Sequence, residues 1–445
     1  MTHRGSRVLH VGSLARVEGE GSLNLRVHDG TVTEAQLAIY EPPRFFEALL
    51  RGRAHTEPPD ITARICGICP VAYQMSACAA VEDACGVEVG GQLAALRRLL
   101  YCGEWIESHA LHLYLLHAPD FLGRDSAVEL ARTHRAEVER GLRLKQAGNA
   151  LMELLGGRAI HPVNVCLGGF HRVPAPDELR PLAEQLRRAE EDAWETVRWV
   201  AGFEVPYARC DADLLALTCP DTYAIEAGTP TVLPADDGPR RTFPTAEFSQ
   251  HVVEEQVPHS TALQSRLDGR LHLTGPLARF ALSGHLLPDT AREAARAAGI
   301  GDPREGAVCR NPYRSAAIRA VEVFYAVGEA RRLIEAYERP SPARLEVPPR
   351  AATGHGATEA PRGLLYHRYA LTAEGTVADA VIVPPTAQNQ AAIEEDLRQH
   401  VQAALDAHSP ATDAELSALC ERAIRNYDPC ISCSTHFLDL TVERT

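Results

Sequence analysis

The chain has 445 residues and a formal net charge of −14, with 45% hydrophobic and 23% charged residues. That length suffices for one large core or several domains, and acidic charge spread along the chain argues against a nucleic-acid partner. No apolar run is long enough for a membrane span, and Met1-Thr2-His3-Arg4-Gly5 opens no apolar signal segment, so the expected location is the cytoplasm.

Residues 8–40 read as strands. Ser22-Leu23-Asn24-Leu25-Arg26-Val27 alternates apolar and polar, Asp29-Gly30 supplies a hairpin turn, and Thr31 to Leu37 returns. Just ahead lies Arg16-Val17-Glu18-Gly19-Glu20-Gly21, whose glycines allow close backbone approach. On spacing alone Glu18 is a solvated carboxylate beside a turn. Pro42-Pro43 starts a new element. Arg44 to Leu50 fits a short helix, and Glu47 within it has apolar neighbours, which puts it either on the polar face or buried with a partner.

The first Cys-x-x-Cys pair follows, as Arg64-Ile65-Cys66-Gly67-Ile68-Cys69-Pro70. Helical spacing runs from Val71 to Gly86, so amides at that helix N-terminus are expected to stabilise negative sulfur. Residues 90–118 predict a long helix on which His109 and His112 share a face, with His117 nearby. No further ligand stands close in sequence, so these read as core or supporting histidines. Residues 126–154 and 176–202 predict two more helices, separated by a Gly/Pro-punctuated loop, and the whole suggests a helical bundle. Residues 203–285 lose helical periodicity among scattered prolines and read as a peripheral mixed α/β insertion.

A long helix returns over 312–337, followed by a linker at Pro340, Pro342, Pro348 and Pro349. A hairpin turns at Glu374-Gly375 and ends in Ile382-Val383-Pro384-Pro385-Thr386. Two helices, about 390–407 and 412–426, lead to the second pair, Asp428-Pro429-Cys430-Ile431-Ser432-Cys433-Ser434-Thr435-His436; Thr412 or Asp413 caps the last. The expected organisation is a hairpin segment at 1–60, the first Cys pair and helical core at 61–202, the insertion at 203–310, and the C-terminal helices, hairpin and second Cys pair at 311–445. The fold class is mainly α with an α+β periphery, a central long-helix bundle with small β-hairpins near both chain ends.

Of twelve cysteines, eight stand singly and read as small buried hydrophobes. The two pairs together offer four thiolates. Structural zinc, an iron–sulfur cluster, a redox disulfide and a soft-metal catalytic centre all remain open on spacing. No G-x-G-x-x-G dinucleotide fingerprint occurs.

The residues around the pairs decide among these. Arg64 to Pro70 and Asp428 to His436 resemble the large subunit of nickel–iron hydrogenases. Arg16-Val17-Glu18-Gly19, Pro361-Arg362-Gly363 and Val383-Pro384-Pro385-Thr386 fall in that family's order. Arg44-Phe45-Phe46-Glu47, His117 to Gly123 and Asn311-Pro312-Tyr313-Arg314-Ser315 resemble its cytoplasmic, bidirectional, NAD(P)-linked group. The resemblance implies the large-subunit hydrogenase fold and reversible heterolytic cleavage of H2. It implies nickel held by Cys66, Cys69, Cys430 and Cys433, with Cys69 and Cys433 bridging to an iron that carries carbon monoxide and cyanide. Cys430 would take the proton and Glu18 would relay it. Arg362 would lie over the metals and bond a cyanide, with Asp428 pairing an arginine. Glu47 and His436, with the carbonyl of Ala378, would hold a second metal, magnesium or iron.

Ser108 stands where some members have an aspartate. Pro385 stands where some have a cyanide-bonding serine, which leaves Thr386 as the substitute donor. Partners implied are a small iron–sulfur subunit, flavin and NAD(P)-binding subunits, and a maturation endopeptidase that removes Phe437–Thr445. A hydrogen-sensing regulatory subunit is the alternative, and the tail argues against it. A complex I-like electron-transfer subunit is another, and the four metal-type cysteines argue against that.

Overall fold

The computed structural model describes residues 6–407 and 412–436. Its centre is the helix Gly91–Leu111, which packs between Arg135–Gly156 and Ser315–Glu335; Pro176–Ala201 flanks both neighbours. The central helix is buried nearly all round, as is Pro70–Cys85, so neither needs a marked polar face. Its buried charges are paired instead: Arg97 with Glu82 at 2.7 Å, Arg98 with Glu329 at 2.7 Å, Glu107 with Lys145 at 2.5 Å. Its crossing with Arg135–Gly156 is tight because both helices carry glycine there. A Cβ on Gly148 would meet the Gly103 carbonyl at 2.6 Å.

The expected N-terminal hairpin is present as Gly21–His28 and Thr31–Ile39, with Leu23 opposite Leu37 and Leu25 opposite Ala35. A third strand, Ser6–Val11, pairs outside Gly21–His28. The C-terminal hairpin also gains a strand. Ala352–Ala360 pairs antiparallel with Gly363–Leu371, which pairs with Val377–Val383. Glycine hides Ala352–Ala360 from a β-propensity reading, yet it is what the position requires. Cβ atoms on Gly354 and Gly356 would strike the carbonyls of Ala80 and Ser76 at 2.0 and 2.5 Å, so only glycine lets the strand lie on the Pro70–Cys85 helix.

Three helix expectations change in detail. The 90–118 helix passes at Leu111 into a π turn, His112–His117. The 126–154 helix breaks at His134 into Ala127–Thr133 and Arg135–Gly156. The helix expected from 390 begins at Pro385, where proline suits a first turn. Thr412 caps Asp413–Arg425 through a capping box with Glu415.

The 203–285 stretch is less peripheral than its composition suggests. It forms a four-stranded sheet in the order His272–Leu273, Asp213–Thr218, Thr229–Leu233, Arg241–Thr242. Behind it the helix Pro276–Ser283 is buried at every residue. Arg279 of that helix clamps Glu322 at 2.8 Å and Glu359 at 3.0 Å in the core.

Candidate metal centre

The two Cys pairs meet. Cys66 Sγ lies 3.4 Å from Cys430 Sγ, and Cys69 Sγ lies 3.4 Å from Cys433 Sγ. All four sulfurs fall within 4.8 Å of one another, and none of the residues is more than 3% exposed. These are not disulfides, whose sulfurs sit about 2.05 Å apart. They match the edges of a four-sulfur metal shell, about 3.8 Å for metal–sulfur bonds near 2.3 Å. Burial pushes the Cys430 and Cys433 thiols up, whereas hydrogen bonds from Cys430 first, then Cys433 and Cys69, hold Cys66 down. Four sulfurs this close in a dry site need a cation to shed their protons together.

The first pair is fixed by the loop entering Pro70–Cys85, with Cys69 as N-cap and Pro70 in the first turn. The expected stabilisation of sulfur by that helix N-terminus is diverted. Val71 and Ala72 amides donate to the Glu104 carboxylate at 2.6 and 3.1 Å, and Cys66 Sγ receives the Ile68 amide at 3.3 Å. Glu104 comes from the central helix and is fully buried. Burial raises its pKa well above the usual carboxylate range.

The second pair is held by the Arg16–Gly21 stretch. The Ile431 amide donates to Glu18 O at 2.9 Å and the Ser432 amide to Glu18 Oε2 at 3.1 Å. Glycine at 19 permits this approach, since a Cβ there would meet Ile431 Cβ and Glu41 Oε2, each at 2.6 Å. Glu18 Oε2 lies 3.0 Å from Cys430 Sγ. Glu18 is therefore not a solvated turn residue but the carboxylate touching this sulfur. Ser432 Oγ continues to Glu41 Oε2 at 3.0 Å. The Cys430 amide donates to Thr386 Oγ1 at 3.0 Å.

Arg362 sits in the turn between Ala352–Ala360 and Gly363–Leu371. Its Nε donates to Asp428 O at 2.7 Å, its Nη2 pairs with Asp428 Oδ1 at 3.1 Å, and its Nη1 reaches Ser108 Oγ at 3.5 Å. Burial opposes its charge, but Asp428 and then the nearby sulfurs hold the proton on. Burial likewise raises Asp428.

Glu47 and His436 also meet, with His436 Nε2 3.7 Å from Glu47 Oε1. His436 Nε2 is 2.6 Å from Ile382 O, and the Ile382 amide donates to Glu47 Oε1 at 2.7 Å. The expected carbonyl of Ala378 is a correction. Ala378 is exposed near the start of Val377–Val383, about 13 Å of strand away from Ile382. The carbonyl facing this pair is that of Ile382, at the strand's far end. Glu254, from Val252–Gln256, is close enough for His436 and Glu47 to influence its charge, and its Oε1 is buried without a partner among the described residues. Burial raises its carboxyl to about 8.

His109, His112 and His117 are all buried. They do not converge on the sulfurs as ligands: His109 Nε2 faces Glu322 at 3.0 Å, and His112 Nε2 donates to Arg425 O at 2.8 Å. Of the eight single cysteines, Cys166 and Cys219 are half-buried and the rest buried. Sequence reasoning missed Glu104, Glu41 and Glu254. Each is an isolated acidic residue with no motif, and only the fold brings it to the site.

Comparison with known proteins gives a consistent picture. The family described as "Nickel-dependent hydrogenase" matches residues 44–141 and 304–436. The chain is 36% identical to "Sulfhydrogenase 1 subunit alpha" of Pyrococcus furiosus over 436 residues, covering 97% of this chain and 98% of that one. It is 27% identical to "NAD-reducing hydrogenase HoxS subunit beta" of Cupriavidus necator over 471 residues, covering 97% and 95%. A solved structure of an NAD+-reducing [NiFe]-hydrogenase in the H2-reduced state superposes with a TM-score of 0.86 at 26% identity, covering 97% and 99%.

Proposed function

The chain belongs to the nickel-dependent hydrogenase family as a large subunit, and from that premise we propose that the sulfur quartet holds nickel and iron and that the surrounding side chains handle the protons. The observation that carries this reading is one buried cluster: four sulfurs within 4.8 Å, with a carboxylate 3.0 Å from one of them. When bound, the metal pair supplies a soft, redox-active centre at which H2 is cleaved heterolytically.

The chain's own residues do the rest. Cys66, Cys69, Cys430 and Cys433 would hold the metals, the family resemblance giving Cys66 and Cys430 as terminal ligands and Cys69 and Cys433 as the shared ones. Cys430 Sγ accepts the proton and Glu18 Oε2 receives it across 3.0 Å. Glu18 is kept in place through the Ser432 amide, and the path continues toward Glu41 through Ser432 Oγ. Arg362, locked by Asp428, presents a fixed positive charge beside the sulfurs and would donate to a cyanide on the iron. Thr386 anchors the Cys430 backbone and offers its hydroxyl proton to the same ligand set.

Glu47, His436 and the Ile382 carbonyl hold a second cation, magnesium or iron. Carboxylate and carbonyl oxygens suit a hard ion, and the imidazole leaves room for iron. The names of the relatives support electron transfer to NAD within a complex of several subunits, and the iron–sulfur partner that would carry the electrons rests on the family resemblance. No helix among the described residues is long and apolar enough to cross a membrane, in keeping with a cytoplasmic complex. Phe437–Thr445 lies outside the described residues. Its removal by a maturation endopeptidase rests on the family resemblance of Asp428 to His436. Elemental analysis of the purified complex with infrared spectroscopy tests the whole reading. Nickel and iron with carbon monoxide and cyanide stretching bands are expected, and zinc without nickel overturns it.

A further inference from the structure

Among the described residues, several buried polar atoms without a hydrogen-bond partner gather in one place. They are His109 Nδ1, His112 Nδ1, both ring nitrogens of His117, Arg319 Nε, both amide atoms of Asn426, and Asp428 Oδ2. The residues form a continuous seam. Asp428 uses Oδ1 on Arg362 at 3.1 Å, and Arg319 and His109 are its next titratable neighbours. Arg319 Nη1 donates to Asn426 O at 2.9 Å, and His112 Nε2 donates to the adjoining Arg425 O at 2.8 Å. The π turn places the His117 ring 5.0 Å from that of His112. Beyond His117 the half-buried Asp120 is held by Arg425 at 2.7 Å and by Arg16 at 2.5 Å.

A buried polar group left unpaired is costly, because it has given up its bonds to water for none in return. Several such groups side by side are the setting in which ordered internal water makes the missing bonds. A π turn inside a long helix is also uncommon and recurs at functional positions. Burial keeps His112 and His117 neutral, so each ring has one donor and one acceptor nitrogen.

We propose that this seam is a water-lined proton path from Asp428, the partner of the Arg362 beside the sulfurs, to Asp120 near the surface, with His117 as its relay and the Glu18 route in parallel. It rests on the hydrogenase reading. Asp428 anchors the innermost water through Oδ2, and that water takes the proton released in H2 cleavage and passes one outward. Each hop breaks one O–H or N–H bond and forms one on the next atom. His117 takes a proton on one ring nitrogen and releases one from the other. The net result is one proton delivered to bulk water, with no electrons moved along the seam; the electrons of H2 leave through the partner subunit.

Two measurements on the purified complex test this. A high-resolution crystal structure is expected to show ordered water bonded to His117 and Asn426, and a dry seam overturns the proposal. Isotope exchange between D2 and H2O then reads proton delivery directly. Glu18→Gln is expected to keep residual exchange, and adding His117→Phe to cut it about tenfold or more. Adding His117→Gln, which keeps a donor and an acceptor, is expected to retain most of it. Nickel and iron content and the infrared bands should stay unchanged in all three. Equal exchange with and without His117→Phe in the Glu18→Gln background overturns the path. If His117→Phe does not fold, the crystallographic water and the His117→Gln variant still decide. Wild-type protein that holds nickel yet exchanges nothing would instead defeat the hydrogenase reading itself.

Discussion

The stretch Asp428–His436 closes two different sites. At one, Cys430 and Cys433 complete a set of four sulfurs; at the other, His436 meets Glu47 and a backbone carbonyl. The first is soft, dry and made wholly of side chains. The second brings a carboxylate and an imidazole to the main-chain carbonyl of Ile382, and the proposed occupant is a hard cation. Arg44 ties the two together, since its guanidinium bonds both Ile65 O and Ser432 O while its amide donates to Thr435 O at 2.9 Å. One stretch, Asp428–His436, therefore closes both sites. On the proposed reading the difference is one of role: the sulfur site does chemistry and tolerates little change, whereas the second site fixes this stretch.

Removing one sulfur should break the comparison most severely. Cys430→Ala is expected to lose nickel and all hydrogen uptake, because on the proposed reading it deletes both a ligand and the proton acceptor. Full uptake in this variant would end the mechanism. Glu18→Gln comes next, with an expected fall of about 100-fold or more in H2/proton exchange while nickel content holds. The amide still accepts from Ser432 N but cannot pass a proton on. Loss of nickel here would make Glu18 a structural support of the Cys430 loop instead. Glu47→Ala should act on the other site. Metal analysis is expected to show loss of the second cation with nickel largely retained in protein already assembled. Limited proteolysis should then release the C-terminal segment faster than in the unaltered complex.

The same division explains what was legible in the sequence. The soft site is written in two Cys-x-x-Cys motifs, and side-chain motifs survive any amount of intervening chain. Glu18, Glu47, Arg362 and His436 were assigned on family resemblance, and the fold brings each to the cluster or its neighbour. The carbonyl was misplaced at Ala378 because a backbone oxygen has no residue type. Only the register of Val377–Val383 selects Ile382. Glu104 and Glu254 escaped for a related reason: single acidic residues mean nothing until tertiary packing buries them. Most helices were visible through their apolar spacing, whereas Ala352–Ala360 was not. Its glycines answer to the helix beneath it, not to strand propensity. The 203–285 stretch looked peripheral because its prolines interrupt any period, yet Arg279 within it is buried in the core.

The smallest expected effect lies at the joint between the two sites. Thr386 Oγ1 accepts the Cys430 amide at 3.0 Å, and Thr386 is only 3% exposed. Valine has nearly the same shape but no acceptor, so Thr386→Val leaves that amide unpaired at a cost of about 1–3 kcal/mol. Metal ligation should resist a perturbation of this size, and nickel content is expected to stay whole. Thermal unfolding should begin earlier, and the cyanide stretching bands should shift because the hydroxyl proton is lost. Thr386→Ser, which keeps the hydroxyl, should restore the bands. A stability loss with unmoved bands would confine the role of Thr386 to holding the backbone of Cys430.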